Sequence, residues 1–141
     1  LTAPQVNDGN ICVSVYVDTA EGLCEQIRRA EPLADIIELR LDHLESGEID
    51  NLLASLPQIT KRYLFTFRPR SQGGPLELSL SKRKALWANL LSKLEGLDYL
   101  VDYEADLELP ARFDSDRAIV STHDFGRTAK DARPVFSTLS R

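Results

Sequence analysis

One of the chain's two histidines, His123, stands in the stretch IVSTHDFGRT, where a short apolar run opens into polar residues. Imidazole changes charge near neutral pH, so a histidine at such a boundary suits proton transfer; a purely structural histidine is the competing reading. Upstream, ELRLD sets Glu38, Arg40 and Asp42 at alternate positions. Strand side chains alternate with period two, so these charges are expected on one side of a strand. Buried and unpaired they are costly, so they either form a structural ion-pair network or line a polar cavity. DYE repeats the device with Asp102 and Glu104, acids expected to orient the imidazole. FTFRPRSQGG adds Arg68, an always-charged planar fork for ligand oxygens. The loop after it carries Gly73 and Gly74, which suit a hinged lid. His43, directly after Asp42, alternates to the opposite face and reads as a surface residue.

Such groups need elements to hold them. ICVSVYV (11–17), DIIELRL (35–41), YLFTF (63–67), DYLVDYE (98–104) and AIVST (118–122) are apolar runs expected as strands. Between the first two, Leu23, Ile27 and Ala30 recur at helical spacing, with Asp18 or Thr19 as N-cap. IDNLLASL reads as a short helix stopped by Pro57. Ser81 to Leu94 reads as a longer one, with Leu86, Leu90, Leu91 and Leu94 on its apolar face, Trp87 at its edge and Gly96 as its stop. A fifth helical segment is expected from Thr128 to Arg141, its regular part starting near Pro134.

Strand followed by helix, repeated five times, implies parallel strands joined by crossovers. No glycine-rich phosphate loop follows the first strand, which counts against a dinucleotide-binding doubly wound sheet. The charged residues gather at successive C-terminal strand ends, which converge on one mouth in a (β/α)8 TIM barrel. A complete barrel takes about 250 residues. The 141 residues are therefore expected to supply about five of eight βα units as a single domain, 1–141, with Leu1–Asn10 as a flexible lead-in.

The composition, 43% hydrophobic and 28% charged, is that of a globular domain. A net charge of −5 argues against nonspecific nucleic-acid binding. No run approaches the ~20 apolar residues of a membrane span, and no secretory leader opens the chain, so a cytoplasmic location is expected. Cys12 and Cys24 lack metal-ligand or redox spacing and read as two reduced thiols. The chain starts at Leu1 and has no methionine, which reads as a piece of a longer translation product.

ELRLDHL, LFTFRPRSQGG, DYLVDYE and IVSTHDF, in this order and spacing, resemble the type I 3-dehydroquinate dehydratase family. The resemblance runs from about Ile11 to Thr128 and rests on four ordered motifs rather than one. It implies a (β/α)8 barrel and a hydro-lyase of the shikimate pathway, which converts 3-dehydroquinate to 3-dehydroshikimate without cofactor or metal. In that family a lysine condenses with the substrate ketone, and the iminium acidifies the adjacent C–H. The resemblance makes His123 the residue that takes that proton, helps the hydroxyl leave as water, and serves imine formation and hydrolysis. It implies substrate binding by Glu38 and Arg68 at the ring hydroxyls, with Arg40 and the first-strand Ser14 also at the substrate. Asp42, Asp102, Glu104 and Gln72 are implied as supporting shell, the acids of strand four lying near the histidine and the lysine.

Two positions depart from the family pattern. Its lid commonly carries glutamate before the glycine pair, where this chain has Gln72; glutamine keeps the hydrogen bonds but not the charge that favours a protonated histidine. The family's Schiff-base lysine lies on the sixth strand, beyond these residues, so the segment alone is expected to be inactive. Two other readings compete: a metal-dependent barrel with His123, Glu38 and Glu104 as ligands, and a non-catalytic barrel fragment associating through open edge strands. A homodimer is expected.

Overall fold

Each strand pairs in parallel with the next strand along the chain, and the order β1-β2-β3-β4-β5 never reverses. The computed structural model describes residues 10–45, 47–108, 110, 113–123 and 125. Its elements are β1 (Cys12–Val15), α1 (Ala20–Ala30), β2 (Ile36–Arg40), α2 (Glu48–Ser55), β3 (Arg62–Thr66), α3 (Leu80–Leu91), β4 (Tyr99–Glu104) and β5 (Ala118–Ser121). A doubly wound sheet requires a point where strand order turns back. Its absence among the described strands leaves the wall of a (β/α)8 barrel, of which these are five consecutive strands.

The helices form where the sequence provides caps and a single apolar face. Thr19 caps α1, its side chain accepting from Gly22 N–H at 3.3 Å. The Glu48 carboxylate accepts from Ala20 N–H at 2.7 Å, so the first residue of α2 closes the start of α1. Alternate strand residues face outward onto the helices: Ile37 and Leu39 of β2, Tyr63 and Phe65 of β3, and Val101 and Tyr103 of β4. They join Leu23, Ile27, Leu52, Trp87, Leu90 and Leu94 in one buried core. Trp87 lies between Phe67 and Tyr103, with ring centroids 5.0 Å and 5.1 Å away. Removing such a side chain costs about 3–5 kcal/mol.

The structure corrects three expectations. The buried face of α3 is Arg83, Trp87 and Leu90, continued by Leu94, so Trp87 is its centre and Leu86 and Leu91 flank it, partly buried. Spacings of four, three and four residues keep that set on one face, and a buried arginine hid it from a count of leucines. Second, the β4–β5 connection shows only a 3-10 turn, Ser115–Arg117, among its described residues, so strand and helix do not alternate five times there. Third, β2 ends at Arg40, and Asp42 falls in the 3-10 turn Leu41–His43. The expected helical segment at 128–141 lies outside the described residues, as do residues 1–9 of the expected lead-in. No described helix is long and apolar enough to cross a membrane. Both cysteines are free thiols, Cys12 exposed and Cys24 buried.

Candidate active site

The strand register places polar side chains on the sheet's inner face. Ser14 pairs with Glu38, Arg40 with Thr66, Thr66 with Asp102, and Glu104 with Ser121. In a parallel ladder, partners point the same way, so these residues form rows at the C-terminal end of the sheet.

The first group centres on Glu38. One carboxylate oxygen accepts from the Thr66 hydroxyl at 2.8 Å and the other from the Ser14 hydroxyl. Two neutral donors hold the carboxylate in place without cancelling its charge, which leaves it able to attract a donor from a ligand.

The second group centres on Arg68, which is 6% exposed. Its Nη2 donates to Asp102, and its Nη1 donates to the Ser121 hydroxyl at 3.1 Å and to His123 Nδ1 at 2.6 Å. Ser121 in turn donates to the other Asp102 oxygen. One guanidinium thus ties the ends of β3, β4 and β5 together. Part of the His123 ring is exposed, yet burial of the rest lowers its basicity below the ordinary histidine value. The Arg68 and Arg40 charges lower it further, against the opposing pull of Asp102 and Glu38.

The third group is a fork. Arg40 donates through Nε and Nη2 to the two Asp42 oxygens at 2.9 and 2.7 Å. That bond holds the guanidinium charged more firmly than usual. Asp42 is 1% exposed, so it keeps Arg40 in place at the mouth rather than meeting a ligand itself. His43, expected on the surface, is half-buried, its ring 4.9 Å from that of Tyr16.

Glu104 departs from the expected arrangement. Its carboxylate meets α3, accepting from Trp87 Nε1 at 3.4 Å and lying 3.8 Å from Arg83 Nη1. Burial raises its pKa above the carboxylate value of 4.5, against the pull of its backbone, Arg83 and Trp87. The imidazole is oriented by an arginine rather than by a strand-four acid, because Arg68 stands between Asp102 and His123. The metal reading meets a similar obstacle: among the described residues, no three His, Cys, Asp or Glu side chains are grouped to hold a metal ion.

The loop after β3 folds tightly back on itself. Arg70 N–H donates to Leu76 O at 2.8 Å and Gly74 N–H to Pro69 O at 3.0 Å. A Cβ on Gly74 would lie 1.7 Å from the Arg68 carbonyl oxygen. The glycine therefore serves a close approach that fixes the backbone of Arg68, beyond any hinge. Gln72 sits in this loop, its Oε1 buried and without a hydrogen-bond partner among the described residues.

Two residues of the site went unmarked in the sequence, Thr66 and Ser121. A signal existed: each precedes a marked residue, Arg68 or His123, by two positions and so shares its face.

Comparison with known proteins matches this frame. A family model described as type I 3-dehydroquinase matches residues 11–141. The chain is 34% identical over 135 residues to a 3-dehydroquinate dehydratase of Desulfotalea psychrophila, covering 87% of this chain and 55% of that protein. It is 29% identical over 134 residues to the chloroplastic bifunctional 3-dehydroquinate dehydratase/shikimate dehydrogenase of Arabidopsis thaliana, covering 86% and 21% respectively. Its structure is similar to a crystal structure of type I 3-dehydroquinate dehydratase from Clostridium difficile with covalently modified comenic acid. The TM-score is 0.60 at 25% identity, over 70% of this chain and 42% of that one. The chain thus spans about half the length of the two bacterial relatives and about a fifth of the plant one.

Proposed function

The chain belongs to the type I 3-dehydroquinase family, and from that premise we propose that its inner strand ends form the substrate-binding and proton-transfer part of a 3-dehydroquinate dehydratase. The observation that carries this reading is the Arg68 guanidinium, which joins Asp102, Ser121 and His123 at one mouth beside Glu38 and Arg40. The substrate is a polyhydroxy cyclic ketone bearing a carboxylate. Glu38 accepts from a ring hydroxyl, and the Arg68 fork donates to ring oxygens. Ser14 and Arg40 complete the binding face, with Arg40 held by Asp42. His123 moves the proton at the carbon next to the ketone and assists loss of the hydroxyl as water.

The electron sink is an amine that condenses with the ketone. Among the described residues, no lysine stands on a strand: Lys82 and Lys84 lie on α3, Lys61 precedes β3, and Lys93 follows α3 and pairs with Asp50 at 2.5 Å. We assign the amine to a lysine of the whole protein that is not among these 141 residues. The protein is read as a cytoplasmic homodimer.

Borohydride reduction in the presence of 3-dehydroquinate tests this reading. The whole protein that carries these residues should gain the reduced substrate mass on one lysine, while the 141-residue chain keeps its unmodified mass. Adduct on Lys61, Lys82, Lys84, Lys93 or Lys130 would overturn the assignment. So would a whole protein that takes up none.

A further inference from the structure

Arg68 and His123 meet through atoms that restrict each other. A guanidinium only donates hydrogen bonds and is never deprotonated in proteins, so the ring nitrogen facing it has to accept. That nitrogen is His123 Nδ1, 2.6 Å from Arg68 Nη1. Nη1 has two hydrogens, one on the Ser121 hydroxyl and the other on His123. Nη2 is held by Asp102, and Asp102 is held in turn by Ser121. The guanidinium is thus fixed on three sides, and Arg68 cannot turn away to let a proton onto Nδ1 without breaking buried charge-assisted bonds.

We propose that Arg68 is a positioning residue that sets the protonation state of His123, keeping the ring neutral with Nδ1 capped and its one proton on Nε2. The inference deepens the reading of this mouth as a proton-transfer site, but its measurement needs no turnover. It specifies what an incoming ligand meets. His123 first offers a donor, Nε2–H, to a ligand oxygen such as that of a ketone. It becomes a base only when a ligand oxygen competes for Nη1 and releases Nδ1. The His123–Nη1 bond is the one to yield, because His123 is the exposed partner while Asp102 is buried.

The surrounding charges agree in sign. Burial, Arg68 and Arg40 lower the His123 pKa, and the carboxylates Asp102 and Glu38 oppose them. Arg68 is thus the named cation with a direct bond to the ring. Gln72, uncharged, adds no carboxylate from the loop after β3.

The test is nitrogen-detected NMR of the 15N-histidine-labelled chain as pH is varied, in the wild type and in Arg68→Met. In the wild type, the neutral His123 ring should show a bare Nδ1 and a protonated Nε2, and its pKa should lie below the ordinary histidine value. In Arg68→Met the pKa should rise, because the ring loses a facing cation and keeps Asp102 and Glu38 nearby. A neutral wild-type ring with its proton on Nδ1 would overturn the proposal, and that result does not depend on whether the variant folds. An unchanged or lower pKa in a folded Arg68→Met would overturn it equally. Failure to form a borohydride adduct would count against the dehydratase reading and leave these titrations unaffected.

Discussion

Arg83 and Glu104 lie 3.8 Å apart beneath the strand ends, both buried, and neither is fully satisfied by the other. Arg83 gives its two terminal nitrogens to Asp106, at 2.8 and 2.5 Å, while its Nε and Glu104 Oε1 have no hydrogen-bond partner among the described residues. A carboxylate so placed is expensive to keep ionised.

Replacing Glu104 with glutamine should therefore stabilise the fold at neutral pH, by on the order of 1 kcal/mol. Burial raises the folded-state pKa of Glu104 above 4.5. Protonation thus favours the folded state, and this contribution is complete below the unfolded pKa and lost as pH rises through the folded one. Urea unfolding at neutral pH and near pH 4.5 should show the advantage of Glu104→Gln shrinking on acidification. An advantage that grows on acidification would contradict the assignment.

Arg68→Met should destabilise the fold by about 3–5 kcal/mol, because it leaves a buried aspartate without its cation. The two side chains are only 8% and 9% exposed, so solvent screens the pair weakly. The double variant Arg68→Met/Asp102→Leu should cost less than the single one, as measured by denaturant midpoints. Equal or greater loss in the double variant would mean that the pair itself, rather than an orphaned charge, is what matters.

Gly74→Ala should be worse than Gly47→Ala. Gly47 has a left-handed backbone (φ 92°) with open space around its missing side chain, so alanine there costs about 1–2 kcal/mol. On Gly74 the Cβ would meet the Arg68 carbonyl at 1.7 Å, a backbone atom that cannot swing aside. A loss above about 3 kcal/mol is expected, with the His123 titration shifted because Arg68 must move.

Much of this architecture was legible in the residues. Short apolar runs marked all five strands to within a few positions, and of the two candidate caps, Asp18 and Thr19, the structure has Thr19 at the start of α1. That Glu38 and Arg40 share one side of β2, and that Arg68, Asp102 and His123 lie at or just beyond the C-terminal ends of their strands, was readable from alternation and strand order. What local pattern could not show was pairing across elements. Glu104 shares its parity with Asp102, yet Arg83 and Trp87, from a helix many residues earlier, draw its carboxylate. The same limit hid the Arg68 bond to His123, since 55 residues separate two groups that only the closing of the sheet brings together. That the described residues between β4 and β5 hold a 3-10 turn in place of an α-helix was equally unreadable, because a crossover need only span the distance.

Turnover of 3-dehydroquinate by the whole protein decides whether this mouth performs dehydration with His123 as its proton carrier. His123→Ala should lower kcat by at least ~10²-fold, the usual contribution of a positioned acid–base group, with an unchanged denaturant midpoint and with substrate accumulating as a covalent adduct. Turnover at the wild-type rate in a folded His123→Ala protein would contradict the account.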